Sequence, residues 1–276
     1  MRPETTAQYL PLHIGFQPIV NVDSGRVVAC QAVISGAQGR AFGALLGGLP
    51  VDERPALARR GIELALAMAV AAGLIEGGAM LALPVRAAGD ADQTAAHLFC
   101  TALAHGVAPG RLIAEISADE RGHADQALEL AKACRARGIA IALDSYSAGP
   151  LGVRLLAEAK PRFVKLDPAM TRDIARNLPR FRVVESVLRA PRSFGATPIA
   201  PGIERGADLA ALHTIGVTHF QSEALDMRKL AGRAPALIAD LPPHLDVRST
   251  VAEPRLPGAP RNLRTVPPQG PTLRAA

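Results

Sequence analysis

The feature that most restricts how this chain can fold is a rhythm. From about residue 13 onward, eight short runs rich in β-branched and aliphatic residues alternate with longer segments of helical character. The runs fall at 14–20, 26–34, 79–85, 111–116, 139–143, 162–166, 197–200 and 217–221, and the helical segments near 53–73, 91–106, 122–137, 151–158, 178–193 and 206–215. Strands that alternate with helices build parallel sheets, because the helix carries the chain back to the start of the next strand. Eight such runs predict a TIM-like (β/α)8 barrel, and 276 residues suffice for one as a single core. The apolar fraction is 49%, yet only 3% of residues are aromatic and none is Trp, so Ala, Leu, Val and Ile must fill that core. This suits helices laid on buried parallel strands.

The opening pair breaks the rhythm. Runs 14–20 and 26–34 are joined by a short polar segment, Asn21 to Gly25, whose Asp-Ser-Gly reads as a hairpin turn, so the barrel is expected to begin with an antiparallel strand. Gly73, Gly106, Gly138 and Gly216 follow helical segments and suit helix C-caps. The expected organisation is an N-terminal extension over 1–12, a barrel domain over 13–240 and a tail over 241–276. Eight of the 23 prolines and five arginines crowd into that last stretch with no apolar periodicity, so it is expected to be disordered.

Several function classes can be set aside. The net charge of +6 draws on the tail, where five arginines face only Asp246 and Glu253, and the body has no basic block of the kind nucleic acid requires. Cys30, Cys100 and Cys134 form no C-x-x-C pair and read as buried thiols in a reducing compartment. The seven histidines show no zinc spacing, and neither a G-x-G-x-x-G loop, a P-loop nor a G-x-S-x-G elbow is present. The N-terminus lacks the pattern of a secretory leader, and the longest apolar stretch, Leu64 to Ile75, is shorter than the roughly 18 residues of a membrane span. A cytoplasmic location is expected.

In parallel barrels, chemistry is carried at the C-terminal ends of the strands. The residues there are Gln31, Pro84, Glu115, Asp144, Lys165, Pro201 and Gln221. Around them run Phe16-Gln17-Pro18-Ile19-Val20, Gln31-Ala32-Val33, Glu115-Ile116-Ser117, Leu143-Asp144-Ser145-Tyr146, Phe163-Val164-Lys165-Leu166-Asp167, Ala200-Pro201-Gly202-Ile203-Glu204 and Phe220-Gln221. In order and spacing this series resembles the EAL family of cyclic di-GMP phosphodiesterases, from about residue 14 to about 230. The resemblance implies an EAL-type barrel with an antiparallel first strand. It also implies two divalent cations, Mg²⁺ or Mn²⁺, that activate a water and neutralise charge on the scissile phosphate.

Carried over position by position, the resemblance gives Glu115 and Asp144 as remaining metal ligands, Lys165 as the catalytic lysine that positions the water, and Gln17 and Gln221 as ligand-binding residues. Four family positions are lost: the EAL glutamate is Gln31, the third-strand asparagine is Pro84, the second aspartate is Ser145, and the glutamate of A-E-G-V-E is Pro201. The arginine expected just after E-A-L is Ser35. Two hard dications beside two carboxylates and a lysine are under-compensated, so no cofactor is expected, with Mg²⁺ or Mn²⁺ needed only for any residual activity. Lys165 is then expected to pair with Glu115 or Asp144, and Glu204 is a candidate cap for the helix near 206.

Three functions follow in order. The first is an inactive EAL module whose surface binds a protein partner in a bacterial signalling or motility pathway, with a homodimer also open. The second is a non-catalytic cyclic di-GMP receptor using Gln17 and Gln221. The third is a phosphodiesterase with residual activity on one cation held by Glu115 and Asp144.

Overall fold

The computed structural model describes residues 7, 10–75, 78–86, 88–118, 124–222 and 250–252. Its strands are β1 Leu12–Asn21, β2 Arg26–Ser35, β3 Met80–Pro84, β4 Leu112–Ser117, β5 Ala140–Tyr146, β6 Phe163–Leu166, β7 Thr197–Ala200, β8 His219–Gln221 and β9 Thr250–Ala252. From β2 to β8 each pairs in parallel with the next, and β1 closes the ring by pairing antiparallel with both β2 and β8. The fold is thus the expected barrel of eight strands with its first strand reversed. The hairpin from β1 to β2 turns at Asn21, whose side-chain oxygen accepts from the backbone N–H groups of Asp23 and Ser24.

Two apolar compartments hold the barrel. The inner one is Ile19, Ala29, Met80, Ala82, Ile113, Ala142, Phe163 and Ile199. Small alanines on β2, β3 and β5 make room for Ile113 and Phe163, the size alternation that a narrow barrel needs. The outer compartment lies between barrel and helices and is built from Leu, Ile, Val and Ala, with Leu57, Leu98, Leu112, Leu128 and Leu155 almost wholly buried. Each such side chain contributes about 1.5–3 kcal/mol.

The long helices lie close to where the pattern puts them: Arg54–Ala71, Ala91–Ala104, Ala124–Ala136, Pro150–Ala159 and Gly206–Thr214. Asp90 caps the second of these by accepting from the Gln93 N–H at 2.7 Å. Gly138 sits at φ 75 and Gly216 at φ 79, the left-handed geometry in which glycine ends a helix cheaply. The segment expected as one helix over 178–193 is two, Leu178–Val187 and Arg189–Ser193. Pro191 is the cause, since it cannot donate to the Val187 carbonyl and its ring crowds it.

Other expectations change in detail. Cys30 and Cys134 are buried, and burial pushes their thiols up to about 11 and about 12, leaving them inert. Cys100, expected to be buried, is exposed. Within 241–276, expected to be a structureless tail, Thr250–Ala252 instead forms β9, antiparallel to Leu12–Ile14 of β1. The reason is an unfilled edge: β8 reaches only Ile19–Asn21 of β1, so the backbone groups of Leu12–Ile14 would otherwise lack partners on that side. The rest of that stretch lies outside the described residues, as do 223–240 of the expected barrel domain and most of 1–12. Among the described residues no helix is long and apolar enough to cross a membrane.

Candidate functional site

Strand side chains alternate between the two faces, so the residue two positions beyond an interior residue points the same way, one layer higher. Gln31 follows Ala29, Pro84 follows Ala82, Glu115 follows Ile113, Asp144 follows Ala142, Lys165 follows Phe163 and Pro201 follows Ile199, each at a spacing of two. The inner apolar core is therefore the floor of the site, and these six positions form its lowest polar layer. Gln17 joins them because β1 is reversed, which sets Gln17 directly opposite Gln31 in the β1–β2 ladder.

The polar side chains of this layer form one connected network. Lys165, 3% exposed, reaches inward with Nζ 3.2 Å from Glu115 Oε1 and 3.4 Å from Asp144 Oδ1. The Glu115 contact is an ion pair lying off the line of an aligned hydrogen bond. On the other side of Glu115, Gln31 Nε2 donates to Oε2 at 2.5 Å. Gln31 in turn accepts through Oε1 from Gln221 Nε2, which also donates to Gln17 Oε1 at 2.7 Å. The sequence-derived residues Gln17, Gln221, Glu115, Asp144 and Lys165 are thus all brought together.

Both oxygens of Glu115 are engaged, one by an amide and one by an ammonium. Burial pushes the Glu115 carboxyl above its ordinary range, against the pull of the Lys165 charge. Burial alone would lower Lys165, but the charges of Glu115 and then Asp144 outweigh it and the net direction is upward. The two directions agree physically: a pocket with two carboxylates and one ammonium carries an excess negative charge and holds protons tightly.

The lost positions differ in character. Pro84 pairs with Glu115 across the β3–β4 ladder and offers no side-chain oxygen. Ser145 lies at φ 56, in the left-handed region, where β5 breaks register with β6 between Leu143 and Tyr146. Pro201 is buried, and its carbonyl accepts from Thr171 Oγ1 at 3.0 Å, a structural tie. Glu204 is exposed and does not cap: the helix over 206–214 starts after Arg205 without a side-chain capping bond. Ser35 ends β2 at the same rim.

Set against a pair of hard dications, this donor set does not fit. Such ions need several anionic oxygens, and among the described residues no group of three or more His, Cys, Asp or Glu side chains is placed to hold a metal. Lys165 already occupies the space between the two carboxylates. What the sequence did not reveal is the part played by Gln31. By composition it is a loss, yet by geometry it joins the β8 and β1 glutamines to Glu115. Only the register of β1 against β2 and β8 makes that visible.

Comparison with known proteins accords with this geometry. The chain is 25% identical over 224 residues to the blue light- and temperature-regulated antirepressor BluF of Escherichia coli, covering 80% of this chain and 55% of BluF. It is 26% identical over 113 residues to the cyclic di-GMP phosphodiesterase PdeB of Shewanella oneidensis, covering 41% of this chain and 13% of that protein. Among solved structures, Klebsiella pneumoniae BlrP1 in complex with calcium and cyclic di-GMP superposes with a TM-score of 0.68 at 26% identity, over 80% of this chain and 56% of BlrP1. The chain thus spans little more than half the length of the first of these relatives. The EAL domain model matches residues 11–222, the whole ring of eight strands with its polar layer, and the chain belongs to the EAL domain family.

Proposed function

We propose that this chain is a non-hydrolytic EAL domain that acts by binding a protein partner in a cyclic di-GMP-related regulatory pathway. One observation carries the reading: Glu115 and Asp144 stand with Lys165 at 3.2 and 3.4 Å, and among the described residues no third His, Cys, Asp or Glu side chain is placed with them to hold a dication. Gln31 closes the remaining side of Glu115 with a neutral amide. A metal would have to displace both groups and would gain two carboxylates for its charge. BluF, named as an antirepressor, supports a regulatory role exerted through binding.

A second reading, a cyclic di-GMP receptor, is favoured by a different observation. Gln221 is buried, and its Oε1 has no hydrogen-bond partner among the described residues, which leaves an unsatisfied acceptor in the buried polar layer. BlrP1 was solved with cyclic di-GMP bound.

The deciding experiment is incubation of the purified chain with cyclic di-GMP, with and without Mn²⁺, alongside titration calorimetry. The leading reading expects no hydrolysis and no heat. Heat without hydrolysis moves the assignment to the receptor. Turnover at an enzyme's rate, about 1 per second or more, overturns both and restores the phosphodiesterase reading.

A further inference from the structure

The opposite end of the barrel, where β2, β3, β6, β7 and β8 begin, encloses a cavity of about 430 Å³. Its floor is apolar, made by Phe163, Met80 and Val28, the underside of the inner core. Its rim carries two cations, Arg26 and Arg162, beside His219, whose imidazole burial holds toward the neutral form. Arg162 holds its guanidinium 5.3 Å from the centroid of the Phe163 ring, and the His219 ring stands 6.3 Å from the same ring, tilted by 57°.

The state of the two guanidiniums is the telling detail. Elsewhere this chain spends its arginines on acceptors: Arg111 on the carbonyls of Ile75 and Ala79, Arg137 on Asp92, Arg154 on Asp125 and Glu158. Among the described residues, the side chains of Arg26 and Arg162 have neither a hydrogen-bond acceptor nor an ion-pair partner. No described carboxylate lines the cavity, and Asp23, whose charge reaches His219, is itself 2.8 Å from His213. Two forks of unused donors thus line the cavity, and that of Arg162 lies over the Phe163 ring.

That combination has a specific chemical complement. A guanidinium fork takes phosphate or carboxylate oxygens in pairs, and its plane also stacks on flat rings. The volume lies within the range of small-ligand pockets, roughly 300–1,000 Å³. We infer that the lower end of the barrel binds a planar aromatic anion of mononucleotide size, its ring stacked on the Arg162 guanidinium that covers Phe163 and its anionic group on Arg26 and the free edge of Arg162. This site is independent of the upper cleft, and it stands whatever function that cleft has.

The test uses the full chain with three probes: 5′-GMP, which has ring and phosphate, guanosine, which lacks the anion, and inorganic phosphate, which lacks the ring. Calorimetry is expected to show saturable binding of 5′-GMP, with the other two at least about tenfold weaker. Replacing Arg26→Ala and Arg162→Ala together weakens 5′-GMP at least about tenfold. Arg205→Ala, at a half-buried arginine paired with Asp173, leaves it unchanged. Both cavity arginines are exposed, so the double variant should fold, and an unaltered melting curve checks that. In NMR spectra, 5′-GMP should shift the resonances of Thr197 and His219. No binding, equal binding of inorganic phosphate, indifference to the double variant, or shifts confined to Gln17 and Gln221 would each overturn the proposal.

Discussion

Gln31 and Glu115 sit at the same end of the barrel, on β2 and β4, and the amide of the first donates to the carboxylate of the second at 2.5 Å. The bond spans the strand between them, β3, which sets Ala82 beside Gln31 and Pro84 beside Glu115. Neither Ala82 nor Pro84 carries a polar side chain that could compete for the amide.

This bond makes the charge at position 31 testable. Gln31→Glu removes a donor and sets a second carboxylate against the buried Glu115, which should cost about 1–3 kcal/mol at neutral pH. Thermal denaturation should show a lower midpoint, regained in part on acidification. Combining Gln31→Glu with Pro84→Asn, Ser145→Asp and Pro201→Glu should produce a chain that Mn²⁺ stabilises, while the natural chain gains nothing. A quadruple variant that folds but ignores Mn²⁺ would show that these four positions are not the missing ligands.

Lys165→Met leaves Glu115 buried, without its cation. Breaking one partner of such a pair costs about 3–5 kcal/mol. Adding Glu115→Gln should return much of that loss, since the remaining amide can still meet Gln31. Urea denaturation of the two single variants and the double variant forms a cycle, and additive losses would contradict the pairing.

The pH dependence follows from the upward shift of Lys165, which arises where Glu115 and Asp144 outweigh burial. A lysine whose folded pKa lies above its unfolded value binds its proton more tightly in the native state. Its contribution is complete below the unfolded value of about 10.4 and is lost as pH rises through the folded one. Melting curves taken upward from about pH 9 should therefore show a decline in the natural chain that is shallower in Lys165→Met.

Gly152 gives a packing test away from the site. A Cβ there would meet the Tyr146 ring at 2.9 Å, closer than real contacts allow, and Tyr146 is wholly buried. Gly152→Ala should destabilise by about 1–3 kcal/mol, despite the better helix propensity of alanine. Urea denaturation checks this, and a neutral or stabilising outcome would mean that the helix over 150–159 moves away at little cost.

The strand rhythm was legible because buried parallel strands must be short, β-branched and evenly spaced, and alternation then fixed which residues share the layer of Lys165. The pairing of Lys165 with one of Glu115 and Asp144 was legible too, as a replacement for lost positive charge, and the structure sets the ammonium against both. Two features were not. The bridge through Gln31 depends on the register between β1, β2 and β8, which no local pattern encodes. The strand at Thr250–Ala252 arises from the short reach of β8 along β1, and a Pro- and Arg-rich stretch gives no sign of it.

The ammonium at the centre of the upper layer is tethered to the chain by four methylenes. Unlike a coordinated ion, it cannot be stripped by a chelator or exchanged for another metal. On the proposed function, this end of the barrel is expected to keep its shape regardless of the supply of magnesium or manganese.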